Sequence, residues 1–425
     1  MSMTETDASA GKIAFTQPLP CTVAWDPATS RAMGVTISTL AALLLLAALQ
    51  GYSLTLHLLM TEGRSFIDNY FPFWSWSRFI HDSSVPARIY QFPVINAFQR
   101  HLDHAYHERL PFAYPPSFML LIWPLGLLSR FVGYGVFLGG SLMMYVAACW
   151  HRTWGRQITI MALIAPSTVL AIYYAQSSLL VAALMIAGCR LTGKRPILAG
   201  VLFGLVSFKP QFGLLIPVAL VSAREWRSFA TAAVTVLAGV VASGAAFGWA
   251  TWAALPAALT YLARFVASGV RFNDASPTVA ATLRLLGSPP AVTHIGQLVA
   301  AAVVGGTVLL CFRRGFRKLP VAILLVGTFF TTPYAFFYDL PIISYAVLAI
   351  CLDARERLAP LKRWEIAALT ATVLLPYLML YSPLDLPYGG IVLVVLFVLV
   401  IRRIMPPNLR RSFCVPEEPR YRATV

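Results

Sequence analysis

Carboxylates are the scarcest chemistry in this chain. Its 425 residues hold 17 Asp and Glu against 33 Lys and Arg. Between Tyr114 and Ile350 the acids are Glu225, Asp274 and Asp339. A chain this poor in carboxylates offers few candidates for a general base. Charge of either sign is also low, at 12% of residues, about half of what a soluble domain carries. Glycine-rich phosphate loops, a Walker motif and a nucleophile elbow are missing, which excludes an ATP-driven pump acting by itself. The six cysteines are scattered, with Cys149, Cys189, Cys311 and Cys351 in or beside apolar runs. They show no metal-ligand spacing and read as packing residues. A secretory signal peptide is not expected either. Residues 1–30 are polar, and the first apolar run, from about Gly34 to Met60, is too long for one.

What the chain has instead is apolar length. It is 58% hydrophobic with a mean hydropathy of +0.71. Its apolar residues come in runs of roughly 12–24, the pattern of a polytopic helical membrane protein. The runs are continuous rather than alternating, which argues against a β-barrel. The net charge of +16 would suggest nucleic acid in a soluble protein. Here the basic residues cluster in short loops between apolar runs, as the positive-inside rule expects, so the partner is membrane lipid and not nucleic acid.

The clusters are His151–Arg156, Arg190 with Lys194 and Arg195, Arg224–Arg227, Arg313–Lys318, Arg355–Arg363 and Arg402–Arg403. The intervening turns then face outward: Thr61–Pro111, Tyr174–Ser178, Lys209–Gln211, Thr251–Thr293, Thr332–Asp339 and Ser382–Pro387. This alternation predicts an all-α bundle of about twelve crossings with both termini inside. It divides the chain into a cytoplasmic tail at 1–33, a transmembrane domain at 34–405 with a long outer loop at 61–112, and a basic tail at 406–425 held to anionic lipid. Parity leaves two choices. Either Tyr114–Ser129 is re-entrant or lies outside, or the 151–156 loop faces outward.

Several crossings are short. Ile197–Phe208 would span roughly 18 Å as a helix, against a hydrocarbon core of about 30 Å. Its partner, Phe212–Ser222, is equally short. A hairpin puts the tip Phe208-Lys-Pro-Gln-Phe212 at membrane depth, where broken backbone and a Lys must line a protein-walled cavity. One continuous helix would instead send Arg224 and Arg227 outward. In the outer loop, Phe66, Tyr70, Phe71, Phe73, Trp74, Trp76 and Phe79 suggest short amphipathic helices at the membrane interface.

The outward tips collect the candidate chemistry. Asp68 follows the first apolar run inside Arg64-Ser-Phe-Ile-Asp-Asn-Tyr-Phe-Pro-Phe-Trp, a costly place for an acid without a partner or a task. Tyr114-Pro-Pro116, Gln176, Lys209, Gln211, Tyr338 and Asp339 come from distant parts of the sequence but the same side. A carboxylate can deprotonate an acceptor hydroxyl, and a cation can hold a departing phosphate. Each also has a plainer reading. Asp68 can pair with Arg64 or Arg78, Lys209 can snorkel, Asp339 can cap a turn or pair structurally, and Pro115-Pro116 can simply start a helix. Gln176 reads as a polar wall residue. His101, His104, His107 and Glu108, at spacings of three, read as a solvated helical face rather than metal ligands.

Three segments carry a resemblance. Phe112-Ala-Tyr-Pro-Pro-Ser-Phe-Met-Leu-Leu-Ile-Trp-Pro-Leu125 resembles the "YPP…LL..PL" element of glycosyltransferase family 87, also called the DUF2029 family. That family contains polyprenol-phosphate-mannose-dependent mannosyltransferases. Leu198–Gly213 is similar to its "AG.L.GL...KPQ" segment, and Thr332–Leu340 to its "PY...YDL" segment. Asp68 sits where the family has its first-loop acid. The resemblance implies a GT-C fold and transfer on the periplasmic face of the bacterial inner membrane. It implies a polyprenyl-phosphate hexose donor, inversion at the anomeric carbon and no nucleotide sugar; the acceptor is expected to be a glycan or glycolipid, and no cofactor or metal is expected. Asp68 would be the base, with Asp339 second. Lys209 and Arg64 would hold the donor phosphate, and Tyr114, Gln176, Gln211 and Tyr338 would line the substrate. The family's "GQ" plus Asn becomes Ala175-Gln176-Ser177 here, which bears on sugar preference. Tyr70–Trp76 is also more aromatic than the family's alanine-rich stretch. Two other readings compete. A secondary transporter or lipid flippase also uses broken helices and a midplane Lys, but shows repeated halves that are absent here. A non-catalytic subunit of an envelope-assembly complex would need neither Asp68 nor Asp339.

Overall fold

The structure is a computed structural model that describes residues 66–104, 106, 111–150, 155–267, 275–357, 360–381 and 386–405. The expected first crossing, Arg64, His107, Glu108, Asp274 and both tails lie outside the described residues. Among those described there is no strand. In chain order the helices are α1 (Phe66–Asp82), α2 (Phe92–Leu102), α3 (Pro116–Ile122), α4 (Arg130–Cys149), α5 (Gly155–Ile164), α6 (Pro166–Tyr173), α7 (Ser178–Leu191), α8 (Pro196–Leu205) and α9 (Pro210–Gly213). They continue as α10 (Ile216–Ser222), α11 (Trp226–Phe247), α12 (Ala250–Ala267), α13 (Val279–Leu285), α14 (Pro290–Phe312), α15 (Lys318–Thr331), α16 (Pro341–Glu356), α17 (Arg363–Tyr381) and α18 (Tyr388–Ile404). Proline explains many of the starts. α3, α6, α8, α9, α14 and α16 each open on one, where its fixed φ suits a first turn and its missing N–H costs nothing. Ser129 and Thr278 cap α4 and α13 by accepting the N–H groups of Val132 and Ala281.

Among the described residues, four helices are long and apolar enough to cross a membrane: α4, α11, α14 and α17. α11 and α14 turn Val234, Leu237, Val241, Leu298, Val303 and Leu310 outward, as lipid-facing helices do. Two shorter apolar helices form the centre. Every residue of α15 from Leu319 to Thr331 is buried, and α7 is buried along most of its length. Each has 14 residues, about 21 Å of helix, which is less than a hydrocarbon core. Their ends therefore fall at membrane depth, where non-helical backbone must be walled by protein. Those ends lead into 174–177 and 332–339, which form part of the site described below.

The chain reverses at Lys209. A Cβ on Gly200 would meet the Ser228 carbonyl and Thr231 at 2.6 Å, and one on Gly204 would meet Thr235 at 2.5 Å. Contacts that advance together along both helices mean that α8 and α11 run in the same direction. The intervening α9 and α10 must then carry the chain back, as the hairpin reading expects. The close approach explains the two glycines, since small residues let membrane helix backbones meet. The same contacts bring Arg195 and Arg224 to one end, where Ser222 Oγ also donates to the Leu309 carbonyl near Arg313. Lys318 pairs with Glu356, and Arg403 with Glu365, between elements flanked by basic clusters. We call this the basic end.

Within the outer loop, α1 departs from expectation. The aromatic residues of α1 do not form an amphipathic face at a lipid interface. Tyr70, Phe71, Phe73, Trp76 and Phe79 are buried against other protein rings. Their covering comes from Phe98 of α2, Tyr106, Phe137 of α4 and the segment 111–129. Phe112 and Tyr114 meet Trp76, Ser77 donates to the Ile122 carbonyl, and the Trp74 indole N–H donates to the Leu128 carbonyl. This segment starts and finishes on α1, so it does not cross. α4 then leads away to the basic end, where the Ala148 carbonyl accepts from Arg190. The histidine run is also not one helical face. α2 stops at Leu102, and Asp103 is extended, so His101 and His104 do not stack on successive turns.

Candidate active site

At the end of the bundle away from the basic clusters lies a cavity of about 200 Å³. Its polar lining is Tyr114, Gln176, Lys209, Gln211, Tyr334, Tyr338 and Asp339. Six of these were candidates from sequence, and the fold brings them together from four separate segments. Its apolar lining comes mainly from α12, through Leu255, Leu259, Leu262, Phe265 and Val266, and from Pro72, Phe73 and Trp76 of α1. Leu255, Leu259, Leu262 and Val266 recur every three or four residues and so share one helix face.

Local geometry explains how each polar group arrives. Lys209 precedes Pro210, which steers it out of the helical region to φ −122°, ψ 74° and breaks the hairpin at its tip. Its ammonium lies 3.0 Å from Asp339 Oδ1 and faces the Phe212 ring with 5.7 Å to the centroid. Asp339 closes the short turn Phe337–Asp339, where its Oδ2 accepts the Phe336 N–H at 3.0 Å. The Ser178 hydroxyl, at the start of α7, donates to Asp339 Oδ1 at 2.6 Å. Both charged side chains are almost sealed from solvent, at 7% and 4% exposure. Taking charges out of water is costly, and this pair is compensated by three hydrogen bonds on one carboxylate.

The remaining groups are set by turns. Gln176 follows Ala175, which adopts a left-handed φ of 49°, and its amide donates to the Tyr174 carbonyl at 3.2 Å. Tyr114 stacks on Phe118 with ring centroids 4.2 Å apart, and its carbonyl accepts the Tyr90 hydroxyl. Tyr338 packs against Tyr174 and Phe336. The Tyr338 phenol is a hydroxyl donor at neutral pH.

Asp68 lies in the first turn of α1, four residues before Pro72 and eight before Trp76, both of which line the cavity. Its side chain lies outside the described residues. The next residue, Asn69, donates to the Tyr173 carbonyl at 2.8 Å and ties this turn to the 174–178 segment. Arg78, one suggested partner of Asp68, instead reaches the Gly126 carbonyl and Asp82. Sequence reasoning missed Ser178, Tyr334 and the α12 wall. Ser178 lies two residues from Gln176 and Tyr334 lies inside the quoted Thr332–Leu340 segment. The leucines of α12 carry no signal in an apolar chain. Among the described residues no group of three or more His, Cys, Asp or Glu is placed to hold a metal.

A buried Lys–Asp pair and several hydroxyl and amide groups lie beside the apolar α12 wall in one cavity of a helical membrane bundle. The sequence model of glycosyltransferase family 87 matches residues 112–337, more than half of the chain, and the protein belongs to that family. It is a membrane glycosyltransferase with a donor and an acceptor substrate. The match takes in Tyr114, Gln176, Lys209 and Gln211. It begins after Asp68 and ends just before Tyr338 and Asp339. No curated protein and no solved structure matches the chain.

Proposed function

We propose that the protein transfers a hexose, mannose or a related sugar, from a polyprenyl-phosphate donor to a hydroxyl of an envelope glycan or glycolipid. The observation that carries this reading is the continuity of Lys209 with the α12 wall in one cavity. A lipid-linked sugar phosphate has the matching sequence of parts: an apolar chain, one phosphate and a polyhydroxy ring. The prenyl chain lies along Leu255, Leu259 and Leu262. The phosphate meets Lys209, with Arg64 as a second candidate cation. Gln176, Gln211, Tyr114 and Tyr338 face the sugar.

In the reaction, the acceptor oxygen attacks the anomeric carbon from the face opposite the phosphate. Its proton passes to the Asp68 carboxylate. The bond from the anomeric carbon to the phosphate oxygen breaks, and its electron pair leaves with the polyprenyl phosphate, whose growing charge Lys209 offsets. One displacement inverts the anomeric centre. The site faces the periplasm of an inner membrane, opposite the basic end.

The test is transfer from radiolabelled polyprenyl-phosphate mannose by membranes holding wild type or Asp68→Asn at equal protein levels. Wild-type transfer that the substitution abolishes is the expected result. Full transfer by Asp68→Asn removes Asp68 as base. No wild-type transfer from mannose or from a panel of other lipid-linked hexoses overturns the donor class.

A further inference from the structure

We infer that Asp339 is a positioning residue that fixes the Lys209 ammonium in the cavity, and that it is not the base. A general base needs a lone pair free to meet the acceptor proton. Three of the roughly four lone-pair sites on Asp339 are already taken: Ser178 Oγ at 2.6 Å and Lys209 Nζ at 3.0 Å fill Oδ1, and the Phe336 N–H at 3.0 Å sits on Oδ2. The three donors come from α7, the hairpin tip and Asp339's own turn, so the carboxylate joins separate segments behind the cation.

Lys209 needs that support. Burial drives an ammonium towards its neutral form unless a counter-charge is near. The groups around it are Tyr114 from the 111–115 loop, Tyr334 and Tyr338 from the 332–340 turn, and the Phe212 ring of α9. The phenols are neutral near pH 7. Among the described lining residues, Asp339 is the one carboxylate. The ammonium has three donors, and the bond to Asp339 uses one, which leaves capacity for an anion in the cavity. That the anion is the donor's phosphate rests on the functional reading above.

The test compares wild type, Asp339→Asn, Ser178→Ala and the double variant Lys209→Gln/Asp339→Asn with two readouts. The first is the kinetics of transfer against pH. Asp339→Asn should raise KM for the lipid-linked donor roughly ten- to hundredfold with much less change in kcat. The defect should widen as pH rises, because an unpaired buried ammonium loses its proton at lower pH than a paired one. Ser178→Ala, which leaves both charges in place, should move KM the same way by a few-fold and decides the matter if Asp339→Asn does not fold. The double variant should regain folding without regaining donor affinity. The second readout needs no substrate: reductive methylation of Lys209, followed by mass spectrometry across pH. Lys209 should become reactive at lower pH in Asp339→Asn than in wild type. A variant that lowers kcat with KM and Lys209 reactivity unchanged would make Asp339 a reacting group and overturn the inference. If wild type transfers nothing from any lipid-linked hexose, the functional reading fails, and the methylation profile alone decides the role of Asp339.

Discussion

Two buried ion pairs sit at opposite ends of this bundle, and they differ in use. Arg403 and Glu365, at the basic end, meet at 2.7 Å with 8% and 9% exposure. Glu365 also accepts the Lys362 N–H at 2.9 Å, so the pair ties the start of α17 to the end of α18. Lys209 and Asp339 meet at 3.0 Å and are equally buried, but they line a cavity. Both pairs pay for desolvation with hydrogen bonds. The first closes a helix junction. The second keeps a charge beside space that a ligand can enter, which is where perturbed ionisable groups tend to be functional. Burial alone does not separate the two cases; the neighbouring space does.

The contrast can be broken in several ways. The largest effect should come from outside either pair. Asp68→Asn should cost on the order of 10²–10⁴-fold in transfer while leaving folding intact. A loss that small substitutions at Asp339 reproduced in kcat alone would erase the distinction between base and anchor. At the basic end, Glu365→Ala leaves the Arg403 guanidinium buried without its carboxylate. Stability should fall by about 3–5 kcal/mol, read as thermal unfolding of the purified protein in detergent. Transfer per folded molecule should not change. A drop in specific activity there would mean that the two ends are coupled.

Lys209→Gln is the matching cut at the site end. It should lower kcat/KM for the lipid-linked donor by about 10²-fold, since a charge-assisted contact to phosphate is lost. The basic end should retain its helix junction, and unfolding should shift less than in Glu365→Ala. A Lys209→Gln enzyme with normal donor kinetics would put the phosphate elsewhere, with Arg64 next in line. The smallest effect concerns Ala175. Its left-handed φ of 49° is cheap for glycine and strained for alanine. Ala175→Gly should stabilise the protein by about 1 kcal/mol. The sugar preference measured on the same variant tells whether the strain also shapes the Gln176 contact.

Much of the candidate site was legible because polar residues at the tips of apolar runs are rare and conspicuous. Tyr114, Gln176, Lys209, Gln211, Tyr338 and Asp339 stood out on that ground, and the fold places all six around one cavity. Ser178 did not stand out. It sits beside Ser177, and nothing in the order of residues says which hydroxyl reaches Asp339. The α12 wall was equally hidden. A leucine face is periodic in sequence, but the same periodicity serves lipid, core and ligand. The aromatic stretch of α1 misled for a related reason. Rings suit a membrane interface and a protein core alike, and the packing of α2, α4 and the 111–129 segment over them decided between the two.

Composition and the spacing of apolar runs were enough to determine a helical membrane bundle. Long runs with so little charge enter the bilayer, where no water meets the backbone, and helices satisfy that backbone within each segment. The clusters of Lys and Arg likewise gave the bundle two distinct ends. Tertiary structure alone decided the partners. Lys209 and Ser178 reach Asp339 across 130 and 161 residues. That meeting depends on α7 and α15 being too short to cross and on the hairpin turning back at membrane depth. Short-range patterns fix where a helix begins and which face is apolar. They hold no information on which distant turns share a cavity, because that is set by the packing of whole helices against one another.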